Sequence, residues 1–147
     1  MRNTALLLSI LVLSGSTLLA QAPEQNAVQQ VLNSQVQAWN HEDLAGFMSG
    51  YWNSPDLTFF SGGEVAHGWQ QAFDRYKQRY QNAPGRMGKL EFTDLQIEPL
   101  GADAAFVRGR WQLTMSDGKT PHGLFTLMFR KFPDGWKIVH DHTSAAE

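Results

Sequence analysis

Two histidines flank an aspartate in the stretch WKIVHDHTS, which runs from Trp136 to Ser144. Imidazole and carboxylate side chains can act as general acids and bases near neutral pH, and they can ligate metal ions. In a β-strand, alternate side chains lie on opposite faces. The bulky apolar residues that precede this triplet therefore predict that His140 and His142 face inward and that Asp141 faces outward. A bulge in the strand would reverse this assignment.

His140 and His142 are accordingly the candidate catalytic residues, each as a general acid or base. The alternative is that both rings are hydrogen-bonded wall residues, because no carboxylate orients either ring in the predicted register. His122, on a neighbouring predicted strand, could join them around a metal ion. No Cys-x-x-Cys or His-Glu-x-x-His pattern accompanies the three histidines, so we predict no metal site and no cofactor.

The composition excludes two classes of partner. The chain has 12 Lys and Arg residues against 14 Asp and Glu residues, which gives a net charge of −2 at pH 7. Because the basic residues are scattered, the chain has no electrostatic footprint for nucleic acid or for an anionic membrane surface. We predict no nucleic-acid partner and no membrane partner. The sequence also has no cysteine, which excludes disulfides and thiol chemistry.

Residues 1–20 have the pattern of a secretory signal peptide. Arg2 is followed by an apolar run, from Ala5 to Leu13, and then by small residues. We expect cleavage after Ala20 and a secreted or periplasmic protein. Residues 21–147 have a length typical of a single domain.

Hydrophobic periodicity divides this domain into helices followed by strands. A spacing of 3.6 residues predicts helices, and alternation between turn signals predicts strands. The predicted helices are Glu24 to Asn40, Leu44 to Ser49 with Asp43 as N-cap, and Trp69 to about Asn82. The predicted strands are a hairpin, Leu57 to Ser61 and Glu64 to His67, and a meander of four strands, roughly 89–99, 103–116, 121–132 and 135–143. This order predicts an α+β fold with helices packed on one face of an antiparallel sheet.

This arrangement and several short motifs resemble the SnoaL-like and ketosteroid-isomerase-like family, which has the nuclear-transport-factor-like cone fold. The chain also resembles the related association domain of calmodulin-dependent kinase II. The motifs are Trp39-Asn40, Asp43-Leu44, the hairpin from Phe59 to Gly63, Gly68-Trp69, and the Gly135-Trp136 strand that ends in His140-Asp141-His142. The resemblance implies a cone-shaped molecule in which a curved sheet wraps around helices and a pocket opens into the cone. It does not define the chemistry, because the family includes isomerases, cyclases, dehydratases, binding domains and oligomerisation modules.

Aromatic side chains are expected to line the implied pocket. The candidates for ligand contact are Tyr51, Phe59, Trp69, Phe73, Tyr76, Trp111, Phe125 and Trp136. Several of them form one stripe of the third helix, which a hydrophobic core also requires. A buried tyrosine hydroxyl needs a partner, and that partner can be a ligand.

Two functions from different classes remain open. The first is an exported binding module that holds a small apolar or aromatic molecule in the cone pocket. The second is an enzyme of isomerase, dehydratase or hydrolase type that uses His140 or His142 as general acid or base. The isomerase members of the family use an aspartate as the base in an apolar pocket. The candidate for this aspartate is Asp94, but it alternates with Leu95 and Ile97 and is predicted to face outward, which disfavours an isomerase of this kind.

We expect two copies of the chain to form a homodimer through the outer face of the sheet. Phe106, Leu124 and Met128 add apolar surface on strands that no further helix is left to cover. The family resemblance implies the same assembly.

Overall fold

The computed structural model describes residues 16–146, with side chains from residue 22 onward. Its elements, in chain order, are α1 (Ser16–Asn40), α2 (Leu44–Met48), β1 (Thr58–Ser61), β2 (Glu64–His67), α3 (Trp69–Tyr80), β3 (Lys89–Pro99), β4 (Ala104–Thr114), β5 (His122–Phe132) and β6 (Gly135–Thr143). The predicted signal peptide lies outside the described residues over 1–15, so export stays a prediction. Within the described part, no helix is both long enough and apolar enough to cross a membrane.

α1 packs against the rest of the molecule along one stripe of side chains. Val28, Leu32, Gln35 and Trp39 are all buried on it. The helix begins at Ser16, well before the predicted Glu24. The difference arises because hydrophobic periodicity reports the part of a helix that packs, not its full length.

Side-chain hydrogen bonds fix the start of α2, as the sequence predicts, and also the end of α1. The backbone N–H of Gly46 donates to Asp43 Oδ1 at 2.8 Å, which makes Asp43 the N-cap of α2. At the end of α1, the side-chain amide of Asn40 accepts from Leu90 N at 2.7 Å and donates to Leu90 O at 3.1 Å. These two bonds attach the end of α1 to the start of β3.

The six strands form one curved sheet in the order β2-β1-β6-β5-β4-β3. The α+β class is confirmed, with the core between the helices and one face of the sheet. The sheet is mixed rather than wholly antiparallel, because β1 pairs with β6 in parallel. Sequence periodicity identifies strands but not their partners. Here α3 carries the chain from the β1–β2 hairpin to the far edge of the sheet, and the meander then returns to β1.

A β-bulge interrupts β6 at Val139. Met128 of β5 is opposite His140, while the next residue, Phe129, is opposite Ile138. Val139 is therefore the extra residue, and the inward-facing positions change by one along the strand. A second bulge lies in β3, between Thr93 and Gln96.

The β3 bulge places Asp94 on the outside of the sheet, as predicted. This residue adopts a positive φ of 53°. Its carboxylate accepts from Arg110 Nε at 2.9 Å, and both side chains are exposed. An ion pair so exposed contributes little to stability.

Candidate ligand-binding site

Asp141 faces the interior of the molecule, and the predicted orientation of the last strand is wrong. The side chains of Trp136 and Ile138 are inward, as expected, but after the bulge at Val139 the inward position passes to Asp141, which is only 3% exposed. The bulge therefore reverses the alternation that the sequence predicts for the residues after it.

His140 and His142 lie on the outer face of the sheet. His142 is exposed and His140 is half-buried. The His140 ring hydrogen-bonds Thr58 Oγ1 through Nδ1, and both histidine rings contact the edge of Phe60. Burial and the neighbouring His142 lower the pKa of His140. Neither ring lines the cavity described below, so the structure does not bring these two candidate catalytic residues to a pocket.

Two hydroxyl groups hold the carboxylate of Asp141. Tyr51 Oη donates to Oδ2 at 2.8 Å, and Thr143 Oγ1 donates to Oδ1 at 2.7 Å. Tyr51 is held beside β6 by the backbone, because Trp52 N donates to Ile138 O and Ile138 N donates to Gly50 O, both at 2.9 Å. A larger residue at position 50 would displace the buried Gln35 side chain, since a Cβ atom there would lie 2.8 Å from it.

Burial controls the protonation of this cluster. It raises the pKa of Asp141 to about 6, although the hydrogen bonds from Thr143 and Tyr51 oppose the shift. Among the described residues, no cation forms an ion pair with Asp141. Burial, followed by the neighbouring Asp141, raises the pKa of both Tyr51 and Tyr76 well above the ordinary range, so both phenols stay protonated at neutral pH.

Tyr76 of α3 lies at the centre of an aromatic cluster next to Tyr51. Its ring contacts the rings of Phe47 at 5.4 Å, Phe59 at 5.5 Å and Trp39 at 5.9 Å, all edge to face. Edge-to-face contacts of this kind stabilise the cluster beyond the effect of burial alone. They also fix the position of the Tyr76 hydroxyl near Tyr51 and Asp141.

Asp141 lies in the wall of a cavity of about 100 Å³ between the helices and the inner face of the sheet. Five of the aromatic residues predicted to contact a ligand line this cavity, namely Tyr51, Phe59, Tyr76, Trp111 and Phe125. The other aromatic and aliphatic lining residues are Trp39, Phe47, Tyr80, Leu90, Phe92, Leu113, Leu127 and Ala145. Most of the described lining residues are thus apolar, and one of them, Asp141, has a carboxyl group.

Trp69, Phe73 and Trp136 do not line the cavity. Trp69 stacks on Phe73, with ring centroids 5.0 Å apart, and its Nε1 donates to Met48 O at 3.0 Å. Trp69 therefore packs α3 against α2, and Phe73 packs against the hydrophobic core beside it. Trp136 is buried at the opposite end of β6 from Asp141, before the bulge. The stripe on α3 predicts burial correctly, but it does not separate core contacts from cavity contacts.

Polar residues surround part of the cavity, and the sequence interpretation missed most of them. Arg75 and Arg79 of α3 line it, as do Ser61 and Thr143. Both arginines fall outside the apolar stripe of α3, so periodicity assigns them to solvent. Asp141 was missed because nothing in the residues from His140 to Thr143 marks a bulge.

The residues after β6 form another part of the cavity wall. Ser144 lines the cavity, and its carbonyl oxygen accepts from Trp111 Nε1 at 2.9 Å. A Cβ atom on Gly123 would lie 1.9 Å from this same oxygen. The absence of a side chain at Gly123 therefore allows the backbone of Ser144 to cross β5 and reach Trp111.

His122 does not join His140 and His142. Its Nδ1 lies 3.0 Å from the carbonyl oxygen of Thr120. In the part of the chain that the structure describes, no group of three or more His, Asp, Glu or Cys side chains is placed to hold a metal ion.

Comparison with known proteins identifies relatives of the whole domain. A family model described as SnoaL-like domain matches residues 28–147. An NTF-2-like protein of unknown function from Shewanella oneidensis is 38% identical, with 82% of this chain and 98% of that chain covered and a TM-score of 0.77. None of the curated proteins compared with the chain matches it.

More distant solved structures share the fold. An NTF2-like superfamily protein from Salmonella enterica is 20% identical, with 86% of this chain and 94% of that chain covered and a TM-score of 0.69. A ketosteroid isomerase-like protein from Erwinia carotovora is 18% identical, with 84% and 97% covered and a TM-score of 0.65. The resemblance predicted from the sequence motifs is confirmed.

The buried carboxyl of Asp141 predicts a distinctive dependence of stability on pH. Its pKa in the folded protein, about 6, exceeds the ordinary value of 3.8, so its contribution to stability is fully present at low pH. That contribution is lost as the pH rises through about 6, and it amounts to about 3 kcal/mol, because each pKa unit corresponds to about 1.4 kcal/mol. Urea denaturation of Asp141→Asn should therefore give a free energy of unfolding that falls less than the wild-type value between about pH 4 and about pH 7.5.

Asp56→Asn is the matched control, because Asp56 is an exposed turn residue. Its stability should follow the wild-type pH dependence. Parallel curves for the wild type and Asp141→Asn would contradict the placement of an ionisable carboxyl in the interior.

Proposed function

This chain belongs to the SnoaL-like domain family, and we propose that it binds a small, mostly apolar molecule in the cavity beside Asp141. In this proposal the aromatic walls hold the body of the ligand, and the Asp141 carboxylate accepts a hydrogen bond from its polar end. The function is thus that of a small-molecule-binding domain.

The observation that carries the proposal is a buried carboxyl group in the wall of an otherwise apolar cavity. Burying a carboxylate without a cation is unfavourable, and apolar residues of similar size would stabilise the domain more. Among the described residues, Asp141 accepts hydrogen bonds from Tyr51 and Thr143 alone, although a carboxylate can accept about four. A carboxyl group in a cavity that has a shifted pKa and unused hydrogen-bond acceptor positions is typical of a ligand site.

The size of the cavity limits the ligand. A volume of about 100 Å³ admits part of a single aromatic ring or a small aliphatic group, and the rest of a ring-sized ligand extends through the opening of the cavity. For comparison, an engineered protein cavity of about 150 Å³ binds benzene. The aromatic side chains of Phe59, Phe125 and Tyr76 line the cavity and offer contacts that favour an aromatic body.

Phenol is the simplest probe of this proposal. Its ring fits the apolar wall and its hydroxyl can donate to Asp141. Isothermal titration calorimetry should detect binding to the wild type, and Asp141→Asn should bind about tenfold more weakly, because a hydrogen bond to a charged acceptor is lost.

His140→Ala and His142→Ala are the controls, since both side chains lie on the outer face of the sheet. They should bind phenol as the wild type does. A loss of binding in either histidine variant, with Asp141→Asn unaffected, would refute the assignment of the site.

Proton transfer within the same cavity is a second candidate function. It is favoured by the pKa of Asp141, which burial raises to about 6, close to the pH at which a general base is most effective. In this case the Asp141 carboxylate would accept a proton from a carbon next to a ligand carbonyl and then return it. Asp141 would take the role that the sequence interpretation gave to His140 or His142.

Acetophenone in D₂O provides a test of this second function. If Asp141 is a base, NMR should show deuterium entering the methyl group faster with the wild type than with Asp141→Asn. The catalysed rate should rise as the pH increases through about 6, because the carboxylate is the active form. Equal rates for the two proteins would leave binding as the function.

We also propose that two copies of the chain associate through the outer face of the sheet to form a homodimer. Leu124 is 51% exposed and Phe60 is 37% exposed there, and Phe106 and Met128 are half-buried beside them. Light scattering at micromolar concentration should give twice the mass of one chain, and Leu124→Glu should shift this mass toward that of the monomer, because a charge is then placed in an apolar contact. A monomeric wild type would contradict the proposal, and Lys119→Glu serves as an exposed control outside this face.

A further inference from the structure

We infer that the ligand of this cavity is a compact aromatic carboxylate whose anionic group binds to Arg75 and Arg79. The inference rests on the proposed binding function and adds to it the chemical class and the orientation of the ligand. It rests on two arginines of α3, Arg75 and Arg79, that line the cavity together. Among the described lining residues, the one carboxyl group is that of Asp141 on β6.

The two arginines are presented together by α3. They stand four residues apart, so they lie on the same side of the helix, and each precedes a tyrosine of the cavity wall in the sequence RYKQRY. Tyr76 and Tyr80 contribute aromatic surface to the cavity wall, and the two arginines contribute positive charge next to it. This helix therefore supplies both an aromatic surface and a paired positive charge.

Arg75 is anchored in a position that faces the cavity. Its Nη2 donates to Ser61 O at 3.2 Å and lies 3.2 Å from the Glu64 carboxylate. Glu64 is 76% exposed, so the pair is largely hydrated and its attraction is weak. The guanidinium also lies over the Phe59 ring, 5.9 Å from its centroid. These contacts orient Arg75 without neutralising it fully.

Arg79 has a different environment. Its guanidinium lies over the ring of Tyr80, 5.5 Å from the centroid. Among the described residues, no Asp or Glu carboxylate lies within ion-pair distance of it. A guanidinium over an aromatic ring makes no hydrogen bond to it through its N–H fork, and the geometry of this fork matches the two oxygens of a carboxylate.

The charges also fix the orientation of the ligand. Asp141 is the only acidic residue among the described lining residues, and Tyr51 holds it on the sheet side of the cavity. A ligand carboxylate next to Asp141 would be repelled, whereas one next to Arg75 and Arg79 would be attracted. The attraction is local, because the chain as a whole carries a net charge of −2. A hydroxyl group at the other end of the ring could then donate to Asp141.

The size of the cavity agrees with this arrangement. Its volume of about 100 Å³ leaves no room for a hydrated charge beside the ring. The carboxylate therefore lies toward the exposed Arg79 side chain, where it keeps part of its hydration. Partial hydration avoids the large desolvation penalty of a fully buried ion pair.

The test compares two probes of the same shape, 4-hydroxybenzoate and 4-hydroxybenzamide, with phenol as the reference. Isothermal titration calorimetry at neutral pH should give a Kd for the acid about tenfold lower than for the amide, because only the acid forms charge-assisted hydrogen bonds with the arginines. Arg79→Gln should remove most of this preference while leaving the Kd for the amide nearly unchanged.

Two further variants complete the design. Arg75→Gln should also reduce the preference, and its unfolding curve should be recorded because Arg75 contacts Ser61. Lys77→Gln removes a charge from the same helix at an exposed position outside the cavity lining, and it should keep the wild-type preference. This control separates a local contact from a general effect of charge on α3.

The outcomes distinguish this inference from the proposed function. If the amide and phenol bind as tightly as the acid, the anion site is wrong and the binding function stands. If the preference for the acid persists in both Arg79→Gln and Arg75→Gln, the arginines are not its cause and the inference is overturned. If none of the three probes binds, the proposed binding function fails and the inference fails with it.

Discussion

The position of the site depends on which backbone segments pair with β6. Up to Ile138, the neighbour on one side is the segment from Gly50 to Trp52, which is hydrogen-bonded to Ile138 through both its N–H and its carbonyl. From His140 onward, the neighbour is β1. The two neighbours do not form one continuous ladder, and Val139 lies at the change between them. The bulge at this residue turns Asp141 inward, beside the tyrosine that the same segment supplies.

The energetic consequence is a site that the rest of the fold must stabilise. A buried carboxyl and a buried phenol, Asp141 and Tyr51, are unfavourable in an apolar interior unless their polar atoms are hydrogen-bonded. Here the cost is offset by burial of aromatic side chains on both sides, from Trp39 and Phe47 of the helices to Phe125 of the sheet. The site therefore tolerates an unfavourable group because it is surrounded by a well-packed aromatic shell.

Local signals in the sequence predict the elements well, and the limits of the prediction have physical causes. The turns and alternation of the meander give β3 to β6 nearly to the residue, and Asp43 marks the start of α2 as a cap. These features depend on neighbours in the chain. The parallel pairing of β1 with β6 depends on residues about 80 positions apart, and no local pattern encodes it.

The candidate site shows the same division between local and distant causes. Four of the predicted aromatic residues that line the cavity, Phe59, Tyr76, Trp111 and Phe125, lie at inward-facing strand positions or on one helix stripe, which can be identified by period. The orientation of His140, Asp141 and His142 was predicted wrongly. The extra residue of the bulge shifts the alternation of inward and outward side chains by one position, and the residue types of the strand do not reveal it. The arginines of α3 were missed because a helix residue at the margin of an apolar stripe can face either solvent or a cavity.

The bulge also affects how residue roles should be carried between relatives by sequence alignment. Positions before Val139 can be matched by counting forward from Gly135-Trp136, but positions after it match only by counting back from Thr143. A homologue whose last strand lacks the extra residue would present an inward acid one position earlier from the same Gly-Trp start. An ungapped alignment would then equate that acid with His140 and assign the wrong side chain to the pocket.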